Sequence, residues 1–288
     1  MKNKNPFILV LGITQDGGYP HAGCNKKCCC DAWNNPLLKK HVSCLAITDP
    51  LSNHSWLIDA TPDFKEQIHM LNKIAPGNTL NGILLTHGHI GHYTGLINLG
   101  KEAMNTKNMP VYCAPKMAKF LSGNLPWKQL VKDKNINIKV IENSNSFELN
   151  ERIKITPFAV PHRDEFTETL GFRIESVNKS VVYIPDIDAW KKWDKKIEEV
   201  IKEYSRIYID GTFNDKKEIP HRNTSKIPHP FITDTIKLLN TLPKSEKKKV
   251  HFIHLNHTNP VLKSKSSERK KIENAGFHVA EEMNKFYL

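Results

Sequence analysis

The sequence has no apolar run long enough to cross a membrane. The longest run near the start is Phe7 to Leu11, followed by Gly12 and Ile13. That falls far short of the roughly 20 residues a spanning helix needs. No small-residue cleavage site follows the Met1–Pro6 stretch, and the run leads into Asp16-Gly17-Gly18, so it reads as a first strand and not as a signal peptide. The expectations are no membrane partner and a cytoplasmic location. Aromatic residues interleaved with basic ones are also lacking. The net charge of +12 comes largely from lysines spread along the chain. The runs Lys195-Lys196, Lys247-Lys248-Lys249 and Lys270-Lys271 carry no aromatics between them, so a nucleic-acid partner is not expected. Internal repeats, heptads and long linkers are absent too, and residues 1–288 read as one domain.

Cysteine is sparse, with six in 288 residues, yet Cys24, Cys28, Cys29 and Cys30 fall close together. Such a cluster in a large histidine-rich chain reads as a metal-binding loop before it reads as disulfides. Cys44 and Cys113 sit in apolar segments and read as buried thiols. Short strand-like runs dominate the first two-thirds, among them Phe7–Ile13, Gly82–Thr86, Ile153–Val160, Ser180–Pro185, Arg206–Asp210 and Val250–Leu255. Helical periodicity covers Pro62–Lys73, Gly95–Met104, Pro115–Leu121, Asp188–Tyr204, Pro230–Leu239 and Ser267–Lys285. Strands this apolar are buried on both faces, which two sheets with helices outside would achieve.

The chemistry concentrates at strand ends. Thr86-His87-Gly88-His89-Ile90-Gly91-His92 follows the apolar run Gly82–Leu85. His87 and His89 are two apart and point the same way in extended backbone. His92 follows where the chain turns toward a helix. Three neutral imidazoles at one strand end suit zinc, iron or manganese. His162 closes a second strand, Asp186 a third, and His254 a fourth, with His257 just beyond. Asp186 could instead cap a helix, but Asp188 is the better cap candidate.

Taken together these residues resemble the metallo-β-lactamase superfamily, over about Phe7 to Pro260. Gln15-Asp16-Gly17-Gly18, Pro161-His162-Arg163-Asp164-Glu165, Pro185-Asp186-Ile187-Asp188, Asp210-Gly211-Thr212-Phe213 and Thr258-Asn259-Pro260 resemble its pyrroloquinoline quinone biosynthesis protein B branch. The resemblance implies an α/β fold, an αββα sandwich of two mixed sheets flanked by helices. It implies active-site metal ligands at His87, His89, His92, His162, Asp186 and His254. It also implies catalytic roles at His92, Asp186 and His229, the last over the pocket; a plain surface-loop histidine is the other reading of His229. Relatives with phosphodiesterase activity imply a structural zinc on Cys24, Cys28, Cys30 and His257, with Cys29 as the alternative thiolate.

The superfamily motif carries an aspartate where this chain has Gly91, so one active-site metal is expected before two. The expected function is a metal-dependent hydrolase of a phosphodiester or another small ester or lactone. The alternatives are an iron-dependent hydroxylase or accessory protein in quinone-cofactor biosynthesis, and a non-catalytic carrier. Expected cofactors are Zn2+, with Fe2+ or Mn2+ as alternatives in the active site. The expected partner is a small molecule or small peptide, and a homodimer is compatible with the sequence.

Overall fold

A computed structural model of the chain describes residues 4–220, 223 and 227–288, so His221 lies outside the described residues. Among the described residues, two seven-stranded sheets form the frame. The first carries β1 (Phe7–Gly12), β2 (Cys44–Asp49), β3 (His54–Ile58), β4 (Thr79–Leu84), β5 (Met109–Cys113) and β6 (Ile136–Val140). The second carries β7 (Phe147–Asn150), β8 (Ile153–Ala159), β9 (Leu170–Glu175), β10 (Ser180–Ile184), β11 (Arg206–Asp210), β12 (Val250–Ile253) and β13 (His278–Val279). The last strand, β14 (Lys285–Tyr287), returns to pair with β1 and completes the first sheet.

Every residue of β1 is buried, and the period-two alternation of a strand decides what each one touches. Ile8 and Val10 join Leu45, Ile47, Trp56, Phe172, Ile174 and Tyr183 between the sheets. Phe7, Leu9 and Leu11 face outward onto Phe64, Leu71, Leu96, Met117 and Leu121, from the helices covering the first sheet. Helices over both sheets make the αββα sandwich. No helix among the described residues is long and apolar enough to cross a membrane.

Strand direction positions the site. β1, β3 and β4 run the same way, because β1 and β3 are each antiparallel to β2 and β4 is parallel to β3. β8, β10, β11 and β12 share one direction in the second sheet. A parallel bridge between Thr14 and Leu255 joins the two sheets at their C-terminal edge. The chain therefore delivers the residues after β1, β3, β4, β8, β10, β11 and β12 to one rim.

Three expected helices change. Ser267–Lys285 ends as a helix at Asn274, because Gly276 takes φ +91° and turns the chain into β13. Asp188–Tyr204 divides into a 3-10 turn at Trp190–Lys192 and a helix at Ile197–Glu203. Gly95–Met104 is a 3-10 helix over Thr94–Leu99 followed by turns. The cysteine segment, expected as a loop, is helical over Lys27–Asn34, here α1.

Candidate metal centre

The histidines at the rim converge. His87 Nε2 and His89 Nδ1 lie 2.8 Å apart, and His162 joins them as a three-donor set. His92 and His254 form a second set with Asp16. Asp186 stands between the two. Its Oδ1 is 3.7 Å from His162 Nε2, while its Oδ2 is 3.2 Å from His92 Nε2 and 3.3 Å from His254 Nε2. His229 reaches the same carboxylate, with Nδ1 3.7 Å from Oδ1. All six ligand positions expected from the sequence are thus brought to one place. Asp16, in the Gln15–Gly18 motif, joins them although its sequence context marks it as no ligand.

The ring orientations are fixed by one device built twice. After β3, Asp59 accepts hydrogen bonds from the Thr86 N–H (2.8 Å), the Thr86 hydroxyl (2.9 Å) and His92 Nδ1 (2.7 Å). The Thr86 hydroxyl thereby faces its lone pair to His87 Nδ1 at 3.0 Å. At the end of β11, Asp210 accepts from the Thr212 hydroxyl (2.8 Å) and from His229 Nδ1 (2.7 Å). Thr212 then receives His254 Nδ1 at 3.0 Å. Each imidazole donates through Nδ1, which turns Nε2 of His87, His92 and His254 toward the centre, that of His87 in hydrogen-bond contact with His89 Nδ1 and the other two without a hydrogen bond. Such outer partners set the tautomer and raise ligand basicity. Asp59 and His254 both hold the left-handed backbone region, φ 72° and 63°, where non-glycine residues are uncommon. Sequence reading missed Asp59 and Thr86 and gave Asp210 and Thr212 no role. Position directly after a strand was the one signal they carried. Asp188, expected as a helix cap, instead places Oδ1 3.4 Å from His162 Nδ1 and pairs with Lys192 at 2.6 Å.

The donor set tests well for a cation. Burial, with neighbouring imidazoles adding to it, holds His87 well below the ordinary histidine range and pushes His162 down to about 4. Burial likewise lowers His89, helped by the Arg163 guanidinium. Burial opposes charge on Asp186, but His254, His92 and His162 more than offset it and keep the carboxyl well below the usual range. His87, His89 and His162 are thus held neutral beside an ionised carboxylate, as metal ligation requires. Burial also opposes charge on His92, but Asp59, Asp16 and Asp186 outweigh it and hold this ring well above the ordinary histidine range, so a cation here would displace its proton. Asp16 Oδ1, Asp186 Oδ2 and Nε2 of His92, His162 and His254 are buried atoms without a hydrogen bond. Polar atoms so placed are costly unless something fills the space between them.

A second donor cluster lies nearby. Cys24, Cys28, Cys29 and His257 place four ligand atoms within 4.8 Å of one another. Cys24 and Cys28 sulfurs are 3.5 Å apart, and the His21 N–H donates to Cys29 Sγ at 3.4 Å. Burial and the adjacent thiols push Cys29 up to about 12, so three thiolates would coexist here only with the help of a cation. Of the two thiolates expected as alternatives, Cys30 and Cys29, the structure brings Cys29 to the cluster and leaves Cys30 outside it. On a helix, Cys28 and Cys30 point about 200° apart and cannot face one ion. Cys29 is fully buried, whereas Cys30 faces solvent with Asn34 Nδ2 at 3.9 Å.

A cleft of about 380 Å³, lined by Gln15, Arg163, Phe213, Pro228 and His229, opens beside the histidines. Arg163 comes within 3.4 Å of His89 Nε2 and within 3.8 Å of Glu165. Lys191 and Lys216 line the adjoining, wider opening.

This fold and rim are those of a metallo-β-lactamase sandwich. The Beta-lactamase superfamily domain family matches residues 54–255, and the chain belongs to that family. More particularly, it is similar to coenzyme PQQ synthesis protein B of Pseudomonas protegens, at 25% identity over 95% of this chain and 97% of the relative. Among solved structures it is similar to zinc-bound PqqB from Methylobacterium extorquens, with TM-score 0.81 and 23% identity over 98% of this chain and 100% of that one. It also resembles a diphosphatase of the PhnP family, with TM-score 0.71 and 21% identity over 99% and 97% of the two chains.

Proposed function

We propose that the protein is a metal-dependent hydrolase that cleaves a phosphodiester or another small ester or lactone at the His87–His254 centre. The observation that supports this most is Asp186, whose two oxygens face two different histidine sets. That arrangement suits a pair of ions sharing one carboxylate. Metal ions held there would supply a water of lowered pKa and polarise the ester oxygen. Zinc fits the imidazole and carboxylate donors, and manganese or Fe2+ fits them as well.

The chain's own groups do the rest. Arg163, beside His89, offers a cation to an anionic substrate, and Lys191 and Lys216 extend the positive lining. A phosphodiester therefore fits better than a neutral lactone. His229 lines the cleft while Asp210 holds its Nδ1. Burial works against charge on this ring, but the Asp210 carboxylate outweighs it and raises His229 above its ordinary value. His229 can thus hand a proton to a departing alkoxide. His92 has both ring nitrogens committed, one to Asp59 and one to the donor set, and acts as a ligand.

A second reading is oxidative: an iron-dependent hydroxylase in quinone-cofactor biosynthesis. The likeness to coenzyme PQQ synthesis protein B along 95% of the chain favours it. The test is metal analysis of protein purified without added metal, with assays on a nitrophenyl phosphodiester, a lactone panel and oxygen uptake. Ester turnover that disappears in a His87→Ala, His89→Ala double variant is the expected result. Iron content with oxygen uptake and no ester turnover would overturn hydrolysis in favour of the second reading.

A further inference from the structure

We infer that Asp16 Oδ1 completes a four-donor metal position with His92 Nε2, His254 Nε2 and Asp186 Oδ2, and that Gly91 makes the room it needs. The inference rests on the two-ion reading above and adds a ligand to it.

Four distances carry the argument. Asp16 Oδ1 lies 3.4 Å from His92 Nε2 and 3.9 Å from His254 Nε2. Asp186 Oδ2 lies 3.2 and 3.3 Å from the same two nitrogens. Donors bound tetrahedrally at zinc bond lengths of about 2.0–2.1 Å are roughly 3.3–3.4 Å apart. Of the six edges joining the four atoms, three thus stand close to that length and a fourth, between Asp16 and His254, is longer at 3.9 Å. All four are buried and lack hydrogen bonds, which would be a large cost if nothing joined them.

Backbone pairing holds Asp16 there. The Leu255 N–H donates to the Ile13 carbonyl at 2.7 Å, and the Gln15 N–H donates to the Leu255 carbonyl at 3.0 Å. The residue before Asp16 is thus fastened to the residue after His254. The next turn closes as the Gly18 N–H donates to the Gln15 carbonyl at 2.8 Å, with Gly18 at φ +70°. Opposite, Gly91 sits one residue before His92. A Cβ there would fall 2.2 Å from Asp16 Oδ1 and 2.7 Å from its Cα. The carboxylate that the His-x-His-x-x-His loop lacks at position 91 is supplied across the rim by the first strand's loop.

The test is zinc per folded chain by mass spectrometry, with cobalt substitution to separate thiolate-bound from imidazole-bound ions by their absorption bands. Asp16→Ala should bind one imidazole-type ion fewer than the parent. Asp16→Asn, which keeps the shape but loses the anionic donor, should weaken that ion at least as much as loss of an outer partner does, roughly 10–100-fold. A D16G, G91D double variant should regain it, since three consecutive glycines then let the loop shift from the new side chain. A parent with a single imidazole-type ion would sink the two-ion reading. A parent with two, both also kept at full affinity by folded D16A and D16N, would sink the assignment of Asp16 alone.

Discussion

The carboxylate of Asp16 fills the volume that any side chain at position 91 would need, since a Cβ on Gly91 would lie 2.2 Å from Asp16 Oδ1. The two positions are therefore coupled, although one follows β1 and the other follows β4. Gly91→Ala should displace the Asp16 loop, because contacts this short require something to move. Overpacking of this kind costs about 1–3 kcal/mol. Denaturant unfolding of G91A and of the G91A, D16G pair measures it. The pair should recover part of the loss, and an unchanged G91A midpoint would show the loop to be slack.

Asp59 makes a second prediction. It is fully buried and holds Thr86 and His92 through three hydrogen bonds. Asp59→Asn retains size but replaces one acceptor oxygen with a donor amide facing Thr86 or His92. Loss of such a partner lowers metal affinity about 10–100-fold. Competition against a chromophoric chelator reads this directly. D59N should lose affinity in the imidazole centre and keep it at the cysteine cluster.

The sandwich and the histidines were legible in the sequence because their signals are local. An apolar run followed by His87-x-His89 states both a strand and its end. His162, Asp186 and His254 repeat that pattern. Asp59 gave no such signal, since a lone aspartate after a strand has many ordinary uses. Asp16 could not be assigned because its partners come from distant strands, and the Thr14–Leu255 bridge exists only in three dimensions. The resemblance left Cys29 and Cys30 as alternatives, and a run of three cysteines shows no periodicity that would choose between them. Once α1 is helical, geometry selects Cys28 and Cys29.

The helix of α1 supplies a paired test. Cys29→Ser should lose the thiolate-bound ion and lower the melting temperature, because a closed four-donor site fastens α1 to the loop holding His257. Cys30→Ser should keep the ion and shift stability by no more than about 0.5 kcal/mol, as an exposed surface change does. Zinc analysis and thermal melts of the two variants decide this. Loss of zinc in C30S with retention in C29S would reverse the assignment.

Glu218, bonded to the residue after His257, gives the chain a pH dependence of its own. Its carboxylate accepts the Asn214 N–H at 2.7 Å and the Thr258 hydroxyl at 2.5 Å. Burial dominates these bonds and raises the group from 4.5 to about 7. A raised folded value means the native state holds the proton more tightly than the unfolded chain. Stability is then highest below the unfolded value and falls as pH climbs from 4.5 to about 7. Over that window the loss is about 3 kcal/mol at 1.36 kcal/mol per unit. Glu218→Gln keeps both contacts, because its oxygen can accept from Asn214 while its amide donates to Thr258. Urea unfolding at pH 5 and pH 8 should therefore show E218Q gaining about 2 kcal/mol on the parent between the two conditions. An equal difference at both pH values would mean that Glu218 ionises in its normal range and that its burial carries no charge penalty.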